Sequence, residues 1–404
     1  MAALKYWLWL TSLRDVTNQQ KLSLLENFGE PEGIYYGEPE EYALTEGINR
    51  QAIRALENKS LDEVNRIMGD CQRLGLRIIT MQDTEYPDRL RNIYDPPILL
   101  YVKGRMPQFD DEVAIAMVGS RKSSLYALEA GEKLAFQLAA RGAIVVSGLA
   151  AGGDSAAHRG ALRAGGTTVA VIGGGHDVIY PRENAYLYED LAIRGAILSE
   201  YPPGTPHAGS HFPVRNRIIS GLSLATVVIE APEKSGTLIT AGRALDQGRD
   251  VFALPGKFGD RDCLGSNRLI RDGAGIVTDV WDILSHYVAQ YPHKIHALQM
   301  DEPLFFGKGR EAQTAAEKEE QESEPQVNQE PALPVLDLEG QNGLTDDQIR
   351  IVQALVGRTL HVDDIIEETQ IPTRRVLSAL TMLEIDEIVT QESGKRFSLA
   401  VTLA

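Results

Sequence analysis

The residues that could do chemistry in this chain gather in five short turns. Phe212-Pro213-Val214-Arg215-Asn216-Arg217 places two arginines and an asparagine where an apolar helical segment opens. Gly119-Ser120-Arg121-Lys122-Ser123-Ser124, Ser147-Gly148-Leu149-Ala150-Ala151-Gly152-Gly153-Asp154, Lys234-Ser235-Gly236-Thr237 and Leu254-Pro255-Gly256-Lys257 each follow a short apolar run. Turns of this kind expose backbone N–H groups and helix N-termini, and both bind phosphate oxygens. Gly119 lets backbone approach closely at a strand end. Ser120 and Ser123 offer hydroxyls, and Arg121 can grip a phosphate bidentately. The competing reading of that turn is purely structural, a strand-to-helix link with a serine N-cap. Aromatic residues are interleaved: Tyr126, Tyr180, Tyr186, Tyr201 and Phe212. A ring holds a single strand by base stacking with little sequence preference. Tyr180 and Phe212 are the expected stackers, and core packing is expected of the others. Arg182, beside Tyr180, joins the expected phosphate contacts. Several separate anion grips suit a polynucleotide better than one dinucleotide.

Other patterns carry less. Gly173-Gly174-Gly175-His176 follows a strand-like run, but the G-x-G-x-x-G spacing fails at His176-Asp177-Val178 and no helix follows before Pro181. The triple glycine is expected either to bring backbone close to a base or phosphate or to make a plain turn. His158 lies on an apolar helical segment and reads as a satisfied structural histidine, with Asp154 as a helix cap. There is no nucleophile elbow, no H-E-x-x-H and no Walker lysine loop. Asp177, Glu200 and Glu230 fall at strand ends without an arguable pairing, and Glu230 reads as a strand-end contact. Cys71 and Cys263 are the only cysteines and form no metal or redox motif. No catalytic set, metal site or cofactor is expected.

The elements that must position these turns follow from periodicity. With 404 residues, two or three domains are expected. Residues 1–75 read as a small helical domain, with helices at Asn18–Phe28, Pro39–Ala43, Arg50–Asn58 and Leu61–Leu74. Residues 76 to about 110 read as a connector opening the next domain, with strands at Leu76–Thr80 and Ile98–Val102 around a short helix. Strand–turn–helix alternation then runs to residue 290. The strands are Val113–Val118, Ala143–Ser147, Thr167–Ile172, Ala196–Glu200, Thr226–Glu230, Asp250–Ala253 and Gly275–Val277, short and apolar as strands buried on both faces are. The helices are Leu125–Ala140, Ser155–Ala164, Asn184–Arg194, Arg215–Leu222, Thr237–Gln247 and Ser266–Asp272. This is the pattern of a Rossmann-like, doubly wound, mostly parallel α/β sheet with its ligand beyond the carboxyl ends of the strands. Residues 291–340 read as an acidic disordered linker. Residues 341–404 read as three helices and a hairpin, a winged-helix-like domain with Thr373-Arg374-Arg375 opening the third helix. A small interaction module is the equal alternative.

Charge narrows the partner. The formal net charge is −17. Residues 301–340 hold 11 acidic and 3 basic residues, and residues 341–404 hold 10 and 6, so most of the excess lies in the last quarter. The clustered arginines lie in the first 300 residues, and local field decides phosphate binding. The global acidity argues against a broad duplex-binding face. No run of about 18 apolar residues and no cationic leader is present, so a cytoplasmic protein is expected.

The ordered series Gly-Ser-Arg at 119–121, Ser-Gly-Leu-Ala at 147–150, Tyr180-Pro181-x-x-Asn184, Ser199-Glu200-Tyr201-Pro202, Phe212-Pro213-x-Arg215-Asn216-Arg217-Ile218-Ile219 and Ser235-Gly236-Thr237-Leu238 resembles the DprA/Smf family. Leu254-Pro255-Gly256 and Asn267-x-Leu269-Ile270-x-x-Gly273-Ala274 fit the same pattern, which covers about residues 80–285. Two positions depart from it: Gly153 stands in place of an isoleucine, and Ala127 in place of a glycine. Neither removes a charge. The resemblance implies a non-enzymatic single-stranded DNA-binding protein of natural transformation. Such a protein protects incoming strands, dimerises through its Rossmann-like domain and loads the RecA recombinase. It also implies a SAM- or helix-hairpin-helix-like accessory bundle at the N-terminus. Carried onto this chain, Arg121, Arg215 and Arg217 would hold phosphates. Ser120, Gly148 and Ser235–Thr237 would add backbone and hydroxyl contacts, with Gly119, Lys122, Ser147, Leu149, Asn216, Gly236 and Lys257 completing the set. The alternative is a phosphoribohydrolase-like nucleotide-cleaving enzyme of related fold. Its P-G-G-x-G-T-x-x-E signature is broken here, because Pro232-Glu233-Lys234-Ser235-Gly236-Thr237 lacks the glycine pair and Thr240 stands at the glutamate position.

Overall fold

The computed structural model describes residues 3–296, 335–336, 345–385, 388–392 and 396–403. The described residues fall into two units, one up to residue 296 and one from residue 335.

The first unit is built on a nine-stranded sheet: β1 (Arg77–Thr80), β2 (Leu99–Gly104), β3 (Ala114–Val118), β4 (Ile144–Ser147), β5 (Thr168–Ile172), β6 (Ala196–Ser199), β7 (Ala225–Val228), β8 (Asp250–Ala253) and β9 (Gly275–Ile276). Their order is β1-β2-β6-β5-β4-β3-β7-β8-β9. All neighbours from β6 to β9 run parallel. β1 pairs antiparallel with β2, and β2 antiparallel with β6. The connector strands therefore extend the main sheet.

Both faces of the sheet are covered, which is why its strands read as unbroken apolar runs. Alternate residues of β3 divide between two cores. Ala114, Ala116 and Val118 pack with Ile218, Ile219, Ala241 and Ala244 from helices His211–Gly221 and Gly236–Asp246. Ile115 and Met117 pack with Ala127, Leu134, Ala157 and Ala161 from helices Leu125–Ala140 and Gly153–Arg163. From β3 the chain winds outward through β4 and β5 to β6, then returns to the other edge of β3 for β7, β8 and β9. The winding reverses between β3 and β7. There the crossover loops diverge and leave a crevice at the strands' carboxyl ends.

The N-terminal helices are not an independent bundle. Helix Asn18–Phe28 starts at a Thr17–Gln20 capping box. Helix Leu4–Ser12, whose residues Trp7, Leu8, Trp9 and Leu10 are buried, was not expected from the sequence, and neither was Pro31–Tyr36. These helices share one core with Ile98, Leu99 and Tyr101 beside and within β2. At the other end, Tyr291 and Ile295 pack on the sheet domain and Lys294 pairs with Glu112 at 2.5 Å. The expected linker boundary at 291 thus moves to at least 296. The remainder of that linker, apart from Val335–Leu336, lies outside the described residues.

The second unit has helices Asp346–Ala354, Val362–Thr369 and Thr373–Ile385. Strand Arg396–Leu399 pairs antiparallel with both Val389–Glu392 and Leu360–His361. Ile351, Ile365, Val376, Leu380, Leu383 and Phe397 form its core. This is a winged helix, with Leu360–His361 as a third strand absent from the sequence reading.

Candidate functional site

The crevice at the β3/β7 reversal is a cleft of about 230 Å³. Four segments supply its polar wall: the turn after β3, Asp154 at the start of helix Gly153–Arg163, the start of helix Gly236–Asp246, and the first turns of helix His211–Gly221. It brings together Gly119, Ser120, Arg121, Phe212, Arg215, Asn216, Ser235, Gly236 and Thr237, nine of the residues singled out in the sequence. Ser235 caps its helix by accepting from the Thr237 amide at 3.2 Å, and this 11-residue helix opens toward the cleft. Its free N–H groups and dipole make that end favourable for an anion.

The turn after β3 is held rigidly. Ser120 donates its amide to the Glu230 carbonyl at 3.0 Å, and its own carbonyl accepts from Gly153 and from the Ser123 hydroxyl. A Cβ on Gly119 would lie 2.9 Å from the Gly153 Cα, so the two glycines let strand end and helix touch backbone to backbone. Glu230 is buried and accepts from the Ser124 amide at 2.9 Å and the Ser124 hydroxyl at 2.6 Å. It serves as the strand-end contact that the sequence suggested. Arg121 leaves this frame exposed. Among the described residues it has no carboxylate partner, and its guanidinium lies 4.6 Å over the Phe212 ring.

Beneath that ring lies the second arginine. Arg215 is 4 % exposed and donates to the Gly148 carbonyl at 2.7 Å and to the Val171 carbonyl. Its Nε has no hydrogen-bond partner among the described residues. Burial pulls its pKa down to about 10, against the pull of the nearby Asp154 carboxylate. Asp154 accepts from the Gly119 amide at 3.3 Å, and the Ala150 and Gly148 amides lie close enough to favour its charge. Burial raises its pKa, opposed by Arg215 and those amides. Asp154 was read as a cap for its own helix. Instead it ties together the turns after β3 and β4 and sets a negative charge near the Arg215 guanidinium.

Phe212 joins an aromatic group with Tyr180 at 5.8 Å and His207 at 6.2 Å, and Tyr180 and His207 are 5.4 Å apart. Tyr180 thus continues the cleft along one rim. The triple glycine makes room for these rings. A Cβ on Gly173 would meet Phe212 at 3.3 Å, and one on Gly174 would meet His207 at 2.9 Å. His207 carried no signal beyond its place five residues before Phe212.

Other expectations change. Arg217 does not face the cleft. It is 5 % exposed, donates to both Glu200 oxygens at 2.7 and 2.9 Å, and lies 3.0 Å from the Asp95 carboxylate. Burial opposes its charge, but Glu200 and Asp95 hold its pKa above the ordinary value. Its fork is filled, so phosphate binding by Arg217 is corrected to a structural role. The Ser147 hydroxyl is buried and donates to the Met117 carbonyl, and the Leu149 side chain is buried. Gly148 contributes by what it lacks, since a Cβ there would lie 2.5 Å from both terminal nitrogens of Arg215. Lys122, Arg182 and Lys257 are exposed outside the cleft wall.

The profile of the family described as DNA recombination-mediator protein A matches residues 77–288, and that of the DprA winged helix domain matches residues 335–395. The chain belongs to the DNA recombination-mediator protein A family. The DprA relative from Bacillus subtilis (strain 168) is 41 % identical over 218 residues, spanning 54 % of this chain and 73 % of its own length. The Smf protein of Synechocystis sp. is 31 % identical over 97 % of this chain and 98 % of its own. The X-ray structure of DprA from Streptococcus pneumoniae covers 70 % of this chain and 97 % of its own, at 36 % identity and a TM-score of 0.63. The DprA match includes every segment lining the cleft. The DprA winged helix is likewise the second unit described above.

Proposed function

We propose that this protein binds single-stranded DNA in the cleft at the β3/β7 reversal and acts as a non-enzymatic mediator of recombination during natural transformation. The observation that carries this reading is the stacked set Arg121–Phe212–Arg215 at the mouth of a helix N-terminus. An exposed guanidinium, without a carboxylate partner among the described residues, lies 4.6 Å from the ring centroid and a buried one 6.0 Å from it. That arrangement offers phosphate contacts and a base platform together, as single strands require. Membership of the DNA recombination-mediator family supports it. From the same membership we infer that the protein passes its strand to the RecA recombinase and works as a homodimer through the sheet domain. We also infer that it works in the cytoplasm. No described helix is long and apolar enough to cross a membrane. The nucleotide-cleaving alternative is disfavoured by Thr240 at the cleft wall, where that chemistry needs a carboxylate.

Filter binding with thymidine oligomers, duplex of equal length and free nucleotides at two salt concentrations tests the reading. Single strands should bind tightest, with affinity falling steeply as salt rises. Preference for duplex, or release of free base from nucleoside monophosphates, would refute it.

A further inference from the structure

We propose that Phe258 is a second base-stacking platform that carries the same single strand out of the cleft across the loop after β8, flanked by Lys257 and Lys122. This rests on the cleft being the DNA site. Phe258 is 106 % exposed, the fullest exposure of any large apolar residue among the described residues. It stands between Lys257 and Gly259, the latter at φ +78°, on a loop tip where both neighbours are also exposed. A large ring in that position loses contact with the core and stabilises nothing in the free protein.

The loop carrying it is nonetheless fixed. The Gly256 amide donates to Asn267 Oδ1 at 2.9 Å, and Asn267 donates back to the Gly256 carbonyl at 3.2 Å. The Tyr126 hydroxyl donates to the Pro255 carbonyl at 3.2 Å. Cys263, at the far end of the loop, lies 3.8 Å from the same Glu230 that holds Ser124. These contacts bind the Phe258 loop to the turn that presents Arg121 and Lys122. β3, β7 and β8 are consecutive neighbours, so the two turns leave the sheet only about 10 Å apart. The acidic residues nearby do not cancel the site. Asp260 accepts from the Asp262 amide at 3.0 Å, and the two carboxylates of this loop are equalled in number by Lys257 and Arg261, to which Lys122 adds a third cation. Leu264, 44 % exposed, adds apolar surface where the same loop ends. A ring with lysines before it and across from it is the chemistry that takes a base and its flanking phosphates.

The test measures affinity of the full-length protein for thymidine oligomers of increasing length, comparing wild type with Phe258→Ala, Phe258→Tyr and Arg121→Ala. Phe258→Ala should leave the shortest bound oligomer unaffected and weaken longer ones about 5- to 100-fold, as loss of one base–ring stack does. Its salt slope should match wild type because no charge is lost, and Phe258→Tyr should retain affinity. Arg121→Ala should weaken every length. If Phe258→Ala binds all lengths like wild type while Arg121→Ala is weakened, the platform is refuted and the cleft stands. If neither changes binding, the cleft reading fails first. A shift in oligomeric state of Phe258→Ala by sedimentation would make the ring a self-association contact and overturn the proposal.

Discussion

Arg121 and Arg217 look alike in sequence and should behave in opposite ways when removed. Arg217 closes a buried ion cluster, with two bonds to Glu200 at 2.7 and 2.9 Å and a second carboxylate, Asp95, at 3.0 Å. Arg217→Ala leaves Glu200 and Asp95, 18 % and 28 % exposed, facing each other without a cation. Breaking a buried pair on one side costs about 3–5 kcal/mol. In a domain of this size each kcal/mol shifts the melting temperature by roughly 2–4 °C, so a fall of about 6–20 °C is expected. Arg121 stands exposed without an ion partner among the described residues, and Arg121→Ala should cost no more than about 0.5 kcal/mol. Its loss should appear in binding, with one phosphate contact fewer lowering the single-strand salt slope by about 0.7. Thermal unfolding and salt-dependent binding of thymidine oligomers, measured on the same two preparations, decide the matter. An Arg217→Ala protein that melts with wild type and loses salt slope would refute the structural assignment.

Three further outcomes follow from the geometry. Gly148→Ala should cost about 1–3 kcal/mol in urea unfolding and weaken oligomer binding, because its methyl would displace Arg215 and Asp154; unchanged binding would show that Arg215 is not part of the site. His176 is buried with its ring bonded to Tyr188 and the Tyr101 carbonyl, and burial lowers its pKa from 6.5 to about 4. The unfolded chain then binds the extra proton first, so stability should be full above about pH 6.5 and fall, by roughly 3 kcal/mol at most, as pH drops toward 4. Unfolding free energies across that range should show the loss, and His176→Gln should reduce it, leaving the part that buried His158 contributes, whose pKa burial lowers to about 3. A chain ended at Gly309 should keep oligomer affinity within tenfold, since every cleft residue lies in the first unit; a larger loss would place part of the site in the winged helix.

The alternation of apolar runs and glycine-rich turns made the sheet and the cleft wall legible, because parallel strands buried on both faces must be apolar throughout and must turn tightly at their carboxyl ends. Arg215 and Arg217 show where that stops. Read as the opening of a helix at Arg215, both seemed free to face a ligand. The helix instead begins at His211, and residues two apart on a helix point to nearly opposite sides. One arginine therefore faces the cleft and the other the Glu200 cluster. The spacing alone held this distinction; the partner did not, because Asp95 comes from a segment 122 residues away. Likewise Asp154 reads as a local cap until the fold brings Gly119 and Arg215 to it. Helix Leu4–Ser12 was not legible because Tyr6 to Leu10 is an unbroken apolar run that shows no amphipathic period.

The shared core of the N-terminal helices and β2 has a practical consequence for anyone dissecting this protein. Ile98, Leu99 and Tyr101 are covered by Trp7, Trp9, Leu24 and Ile67 in one continuous apolar cluster. Cutting the chain at residue 75 would strip that cover and bare an apolar sheet margin, Leu76, Ile78, Ile98, Leu99 and Tyr101, to water. Such margins drive self-association. The helical layer is thus a solubility shield for the sheet that carries the cleft, and a useful minimal fragment has to begin at the first helix.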